Sequence, residues 1–366
     1  RGERRVFFIF LCELCVLCSY LQRSFVVFKE AELVRTLRDQ AAQCRVCEHY
    51  CTLHPGDWGK CGVRVNRDGK IYLAVYGSAV AAHVDPIEKK PLFHFLPGSN
   101  AFSIGTYGCN MRCRWCQNWQ ISQVRQVDEG HTPGREALSP EDVVNIARRQ
   151  HSESIAYTYN EPTVFFEYTY DTAILAHAHG IKNVYVSNGF MSSETLERLT
   201  PYLDAINVDL KGFTDALYVQ YSGARLEPVK RNIATIAQQT NIWIEVTTLV
   251  IPGLNDSDEE LRAAAEWLAS VNPAMPWHLS AFHPDYQMLD RPRTSTAILE
   301  RAYAIGKAAG LKYIYLGNVL DPERENTHCP ACGEVLIQRY GYNVRPRWTT
   351  PGVCPKCDTR IPGVWN

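Results

Sequence analysis

The chain has 366 residues, 46% hydrophobic and 21% charged, with a formal net charge of -1. That is enough apolar material for one large domain with appendages. The even balance of charge argues against electrostatic capture of nucleic acid or of an anionic membrane. The short basic stretches "IEKKP" and "RPRW" read as solvated surface.

Residues 1–28 form an extension. "RGERRVFFIFLCELCVLCSYL" has the basic start and apolar run of a signal peptide, yet Glu13 interrupts the run and no A-x-A site follows. The run is also short for a bilayer span. Because the chain begins at Arg1, the extension reads either as an over-extended reading frame with its true start near Val27 or as a short amphipathic or anchoring helix. Cys12, Cys15 and Cys18 there count as small apolar residues.

The remaining cysteines fall in three groups: 44, 47, 51 and 61; 109, 113 and 116; 329, 332, 354 and 357. Such clustering in a chain with a full apolar core points to metal ligation in a reducing compartment, hence a cytoplasmic protein, rather than to a disulfide framework. Cys44, Cys47, Cys51 and Cys61 (C-x2-C-x3-C-x9-C) belong to a small Cys-rich module, residues 29–99. Gly56, Gly59 and Gly62 loosen the return, so four thiolates there close around one zinc or around a second 4Fe-4S cluster; spacing leaves both open.

From residue 100 to 321 strand and helix signals alternate. "AFSIGT" precedes the cysteine loop, and "SPEDVVNIARRQ" opens a helix with Ser139 as N-cap, Pro140 at N1 and Asp142 at N3. "SIAYTY" leads to a helix from about 162 to 179 closed by Gly180, "NVYVSN" to "SSETLERLT", and "AINVDLK" to a helix over about 228–239. "IWIEVTTLVI" leads to "DSDEELRAAAEWLASV", "WHLSAF" to "TAILERAYAIGKAAG", and "KYIYL" closes the series. Six β/α units and a last strand predict an α/β fold, a partial (β/α)6-type parallel barrel.

In such folds chemistry sits at the carboxyl edge of the strands. The loop after the first strand carries Cys109, Cys113 and Cys116 in C-x3-C-x2-C. A structural zinc needs four ligands, a disulfide two, and a cube with every iron held by thiolate needs four; three thiolates leave one iron open. Asn160 and Glu161 follow the second strand, Ser187 and Asn188 the third, Asp209 and Lys211 the fourth, and His283 the sixth. Each alone has an ordinary explanation: a turn at Asn188-Gly189, a first-turn acid at Glu161, a solvated charge at Lys211. Asp209 stands out, because it closes an apolar run. Last, Cys329, Cys332, Cys354 and Cys357 (C-x2-C-x21-C-x2-C) give a zinc-ribbon-like module over 322–366 with a spacing close to that of structural zinc sites, tetrathiolate geometry also suiting a rubredoxin-like iron.

"YGCNMRCRWCQN" resembles the radical S-adenosylmethionine signature, and "YNEPT", "SNGF", "VDLKG", "LVIPGLND" and "FHP" resemble, in order, the motifs of pyruvate formate-lyase activating enzymes. "CRVCEHYC", "GDWGKCGVR" and "DPIEKKPLFHFLPG" resemble a narrower group, the AmmeMemoRadiSam system radical enzymes. The resemblance implies a 4Fe-4S cluster on Cys109, Cys113 and Cys116 whose fourth iron binds S-adenosylmethionine, and reductive cleavage to a 5'-deoxyadenosyl radical that abstracts a substrate hydrogen. It implies that Asn160 and Glu161 bind the methionine amino group, that Asp209 and Lys211 hold the methionine and ribose end, that Asn188 lies in the cofactor site, that His283 lies near the nucleoside, and that Trp115 lies close to the adenine. The activating enzymes usually have glycines where this chain has Tyr159 and Asn160, and an acidic residue where it has Val186, so no monovalent cation site is expected. The implied partners are a reducing donor such as flavodoxin or ferredoxin and either a glycyl-radical polypeptide or another substrate, small molecule or Memo/Ammecr-type companion. A zinc-ribbon scaffold without catalysis leaves the strand-end residues unexplained.

Overall fold

A computed structural model describes residues 27–127, 136–319 and 321–366. The extension, with Cys12, Cys15 and Cys18, lies outside the described residues apart from its last two positions.

Eight strands form one sheet whose spatial order follows the sequence. They are β1 (Ala81–Pro86), β2 (Asn100–Gly105), β3 (Ser154–Tyr157), β4 (Lys182–Ser187), β5 (Ala205–Asp209), β6 (Trp243–Val250), β7 (Trp277–Ala281) and β8 (Ile314–Gly317). Strands β2 to β8 are the seven expected and run parallel. β3 and β5 are buried almost throughout, as strands covered on both faces should be. β1 is an addition: it pairs antiparallel with β2, from Ala81 opposite Gly105 to Pro86 opposite Asn100. Its half-polar "AAHVDP" gives little strand signal, and its proline is tolerated at an edge.

Six helices connect the parallel strands: α1 (Pro140–Arg149), α2 (Phe166–Ala178), α3 (Ser193–Leu199), α4 (Leu226–Gln239), α5 (Asp258–Val271) and α6 (Thr296–Ala308). Ser139, Ser192, Ser257 and Ser295 each cap a helix by accepting the N–H three residues on. At α1 the expected reciprocal box with Asp142 forms. The helix expected from 162 begins as a 3-10 turn over Pro162–Phe165 before α2, and Gly180 follows with a left-handed φ of 73°. α4 starts at Leu226, whose N–H finds its partner in the Asp215 carboxylate at 2.9 Å.

The Cys-rich module is two small antiparallel sheets, one of Val27–Glu30, Lys70–Tyr76 and Arg64–Arg67, the other of Val34–Thr36, Ala42–Cys44 and Thr52–Leu53. It has no core of its own: Val46, Val63 and Leu73 pack in one cluster with Ile104, Tyr157 and Val208 of the barrel. The boundary expected at 99/100 runs between two paired strands, so β1 belongs to the barrel sheet. At the other end, strands Thr327–His328, Val335–Tyr340 and Asn343–Pro346 form a three-stranded sheet. It packs Leu336 and Ile337 on Tyr315 of β8 and on Tyr313 just before it. Cys329, Cys332, Cys354 and Cys357 meet there with all four sulfurs within 4.8 Å. Two Sγ–Sγ distances, 3.5 Å for Cys329–Cys357 and 3.6 Å for Cys332–Cys354, approach the edge of about 3.8 Å that a tetrahedron with 2.3 Å metal–sulfur bonds requires.

Of the ion pairs that fasten the amino-terminal module to the barrel, one is sealed in the core. Arg64 grips Glu167 of α2 with two N–H donors, at 3.1 and 2.5 Å, and its Nε donates to the Val164 carbonyl at 3.0 Å. Both side chains are sealed from solvent, 2% and 0% exposed. Removing one partner strands the other charge in the core, which costs about 3–5 kcal/mol. Glu167→Ala should therefore lower the urea unfolding free energy by that amount; a loss under about 1 kcal/mol, the scale of an exposed pair, would show that the other contacts across this boundary hold the module without it.

Candidate cofactor site at the carboxyl edge of the sheet

The cysteine loop leaves β2 at Gly105 and is pinned along its length. Gly108 N donates to Ile121 O at 2.9 Å, Arg112 N to Ser222 O at 2.7 Å, and the Met111 side chain is fully buried. Gly108 adopts a φ of 91°, and a Cβ there would lie 2.6 Å from the carbonyl oxygen of Cys61 and from Cγ1 of Val63. Only glycine fits so close an approach. The loop thus presents Cys109, Cys113 and Cys116 to a cavity of about 960 Å³, at the upper end of what small-molecule sites occupy.

Burial pushes the Cys109 thiol well up and the Cys113 thiol up, the latter opposed by the Lys211 charge and the Ser222 hydroxyl. Uncompensated thiolates are therefore disfavoured here, and cationic metal is what stabilises them. Hydrogen-bond partners for anionic sulfur are already in place: Met111 N lies 3.4 Å from Cys109 Sγ, Ser222 Oγ 3.6 Å from Cys113 Sγ and Ser122 Oγ 3.0 Å from Cys116 Sγ. Asn110 Nδ2 is buried without a partner beside Cys109. Three convergent thiols, open space beyond them and an unused donor fit a cluster held by three protein ligands.

The strand ends β3, β4 and β5 supply the other walls. Asn160 ties the second loop to the first: Nδ2 donates to Gly108 O at 2.7 Å, and Oδ1 accepts from Thr106 N at 3.2 Å. Glu161 is 2% exposed, and its carboxylate accepts from Thr163 N and Oγ1, Ser187 Oγ and Asn188 N at 2.5–3.0 Å. Burial pushes its pKa up, against those hydrogen bonds. Asn188 donates to Asn110 Oδ1 at 2.8 Å and stands 3.8 Å from Cys109 Sγ, while its own Oδ1 accepts from Phe190 N. It is both the turn and part of the site. From β5, Lys211 Nζ contacts Asp209 Oδ2 at 3.1 Å. Burial pulls the ammonium down, but the Asp209 carboxylate and the Cys113 sulfur more than offset it, so Lys211 stays charged. One bond to Asp209 leaves two of its three donors for a ligand. Trp115, 4% exposed, also lines the cavity.

His283 is the exception. It is exposed, its ring Nδ1 lies 3.3 Å from the Pro284 carbonyl, and it is not on the cavity wall. The imidazole that does face the cavity is His278, on β7 with Ser280. Period-two alternation in "WHLSAF" was the available signal, since polar residues at 278 and 280 share one face of an otherwise apolar strand. Arg293 and Asn318 also line the cavity without any mark in the sequence. The reading of "IEKKP" as solvated surface is corrected as well. Lys90 is 2% exposed and paired at 2.6 Å with Asp85 of β1, which also holds Lys89 at 2.8 Å and the Tyr159 hydroxyl at 2.6 Å. Lysine stems bury readily where a carboxylate waits for the head, and β1 supplies one that the sequence reading lacked. "RPRW" keeps both arginines exposed, as expected.

Residues 103–268 match the model of the Radical SAM superfamily. An uncharacterised protein of Methanocaldococcus jannaschii is 41% identical over 318 residues, spanning 87% of this chain and 93% of its own. The choline trimethylamine-lyase activating enzyme of Oleidesulfovibrio alaskensis is 26% identical over 141 residues, 34% of this chain and 45% of that one. A domain of the pyruvate-formate lyase-activating enzyme of Bacteroides vulgatus, solved by crystallography, aligns with 45% of this chain and 99% of its own at 19% identity and a TM-score of 0.40. With the cysteine triad at the edge of a parallel sheet, the family match over residues 103–268 and the 41% identical relative establish that the chain belongs to the radical SAM superfamily.

Proposed function

We propose that the protein binds S-adenosylmethionine against a 4Fe-4S cluster on Cys109, Cys113 and Cys116 and abstracts a hydrogen atom from a substrate admitted to the same cavity. The bound cluster and S-adenosylmethionine supply the chemistry, one-electron cleavage to a 5'-deoxyadenosyl radical. The chain's residues bind, orient and exclude water. The observation that carries the reading is the convergence of three thiols with the Asp209–Lys211 pair on one cavity, where the ammonium of Lys211 suits a carboxylate and Asp209 suits a ribose hydroxyl or an ammonium. Trp115 offers a flat face for a purine. His283 takes no part in this reading.

Substrates of two kinds fit the relatives. A glycine of a partner polypeptide would make the protein a glycyl-radical activase, in line with the activating enzyme of Oleidesulfovibrio alaskensis that it partly matches. The alternative, a small molecule or a companion protein modified without a glycyl radical, is favoured by the amino-terminal motifs that resemble the AmmeMemoRadiSam group. Flavodoxin or ferredoxin is the class of electron donor we propose. For location, the only structural observation is that no helix among the described residues is long and apolar enough to cross a membrane. The ribbon we assign to structural zinc.

Anaerobic reconstitution with iron and sulfide followed by assay for 5'-deoxyadenosine tests the central reading. Replacing Cys109, Cys113 or Cys116 by Ala should abolish the product, since no nearby thiol replaces the lost ligand; full turnover by such a variant would refute the assignment. Asp209→Ala and Lys211→Ala should keep the iron content of the parent yet bind S-adenosylmethionine about ten- to a hundredfold more weakly, the loss of one charge-assisted contact of roughly 1.5–3 kcal/mol. Titration followed by electron paramagnetic resonance measures this, and unchanged affinity in both variants would leave the pair a structural strand end. In the ribbon, Cys329→Ser or Cys357→Ser should release one zinc ion and lower Tm with the barrel cluster intact; a parent protein purified without zinc would overturn that site.

A further inference from the structure

We infer that the outer side of the cysteine loop is the docking face for an acidic one-electron carrier protein, the donor to the cluster proposed on Cys109, Cys113 and Cys116; the inference rests on that reading. The loop alternates. Met111, Cys113 and Trp115 are buried and line the cavity, whereas Arg112 is half-buried, Arg114 is exposed, and neither lines it. A single thickness of chain therefore carries the thiol on one side and guanidinium groups on the other. The Cys113 sulfur also meets Ser222 Oγ at 3.6 Å, and Arg112 N donates to the Ser222 carbonyl at 2.7 Å. Electron transfer weakens steeply with distance, and cofactor and substrate fill the cavity side. A carrier gains most by docking on this outer wall.

Four cations gather there. Arg112 donates to the Lys60 carbonyl at 2.5 Å and to Gln123 Oε1 at 3.4 Å, and the Arg114 guanidinium lies 5.3 Å from the Tyr221 ring. Arg225 donates to the Glu48 carbonyl at 3.3 Å. Burial pulls the His49 pKa down against its contact with the Asn110 carbonyl, and the charges of Lys60, Arg225 and Arg112 act on the same ring in the downward direction, which groups these three around it. His49 lines the small hollow of Cys44, Cys47, Cys51 and Cys61, so the face spans the joint between the amino-terminal module and the barrel loop.

The charges are largely uncompensated. Among the described residues Lys60, Arg112 and Arg114 meet no carboxylate at ion-pair distance, and Arg225 reaches Glu48 at 3.8 Å, an acid already held by Arg231 at 2.8 Å. The loop that touches Arg114, through Gln287 N at 2.9 Å, carries Asp285 and Asp290, and neither pairs with it. Val219 is 57% exposed on the turn whose Tyr221 and Ser222 carbonyls accept from Arg114 N and Arg112 N. Cations beside an exposed apolar side chain suit a small, transient redox interface in which charge steers the encounter. RNA would meet the same charges. The carrier is favoured because none of the four cations lines the cavity, where a nucleobase would have to sit to lose a hydrogen atom.

The test drives the reconstituted parent with two reductants in the presence of S-adenosylmethionine and follows 5'-deoxyadenosine. One is reduced flavodoxin, an acidic carrier; the other is photoreduced deazariboflavin, small and uncharged. Lys60→Glu/Arg114→Glu should lower the flavodoxin-driven rate at least about tenfold at low salt and leave the deazariboflavin-driven rate at that of the parent. In the parent itself, added salt should slow the first reaction and not the second, a result that needs no variant. Arg345→Glu/Arg347→Glu in the ribbon, an equal change of charge, should alter neither rate. A flavodoxin-driven rate in the loop variant within about twofold of the parent, an equal loss with deazariboflavin, or an equal loss in the ribbon variant would each overturn the inference. Binding of bulk transfer RNA by the parent, lost in the loop variant while its flavodoxin-driven rate stands, would overturn it in favour of RNA. A parent that makes no 5'-deoxyadenosine with deazariboflavin would overturn the barrel reading, and this inference with it.

Discussion

The buried carboxylate of Glu161 is the constraint on which the site depends. It sits between the loops after β3 and β4 and accepts hydrogen bonds from both, Thr163 on one side and Ser187 with Asn188 on the other. A carboxylate so deep is tolerated because four donors reach it, three at Oε1 and Asn188 N at Oε2. Asn160, one residue earlier, carries the same order into the cysteine loop through Gly108 and Thr106. Two adjacent side chains therefore register three strand ends against each other. The resemblance implied that Glu161 receives an ammonium group. Its bond to Asn188 N also makes it the support that fixes Asn188 beside Cys109.

Much of this architecture was legible because it is local. A serine three residues before a polar N–H, as at Ser139 and Asp142, announces a helix start without any knowledge of the fold. Apolar runs ending in Asp209 or Asn188 announced strand ends at the reactive edge. What escaped depends on contacts distant in sequence. Lys90 becomes buried only because Asp85 lies on a strand that pairs with β2, and β1 itself has no strong strand pattern. His278 lies on β7 and lines the cavity, whereas His283, singled out by the motif match at "FHP", lies past the strand end and is exposed. The amino-terminal module looked separable because its cysteines are grouped, yet the Arg64–Glu167 pair and a shared core join it to the barrel.

Tyr159 shows how this chain departs from the pattern it resembles. It holds a left-handed φ of 71°, the conformation that glycine adopts freely and that costs a larger residue about 1–3 kcal/mol. The same residue faces Gly105 closely, where an added Cβ would approach Thr158 O to 2.7 Å. The strain is held by contacts at both ends of the residue: its carbonyl accepts from Asn118 Nδ2 at 2.7 Å, and its hydroxyl reaches Asp85 at 2.6 Å. Those bonds connect the loop after the cysteines to β1. A glycine at this place would satisfy the backbone and lose the connection.

That connection gives the cavity two chemically different walls. The wall of the thiols, Asn160, Asn188 and the Asp209–Lys211 pair is built from short side chains or from groups anchored by backbone, so its geometry is set before any ligand arrives. The cavity is also lined by Lys90, between β1 and β2, by His278 on β7 and by Arg293 in the loop that follows it. Burial pulls Lys90 down to about 8, with Asp85 opposing it, so its charge changes within about a unit of neutral pH while Lys211 remains charged. The charge of Lys90 thus answers to its neighbours: an anionic group beside it would hold the ammonium form by the same pairing that Asp85 now provides.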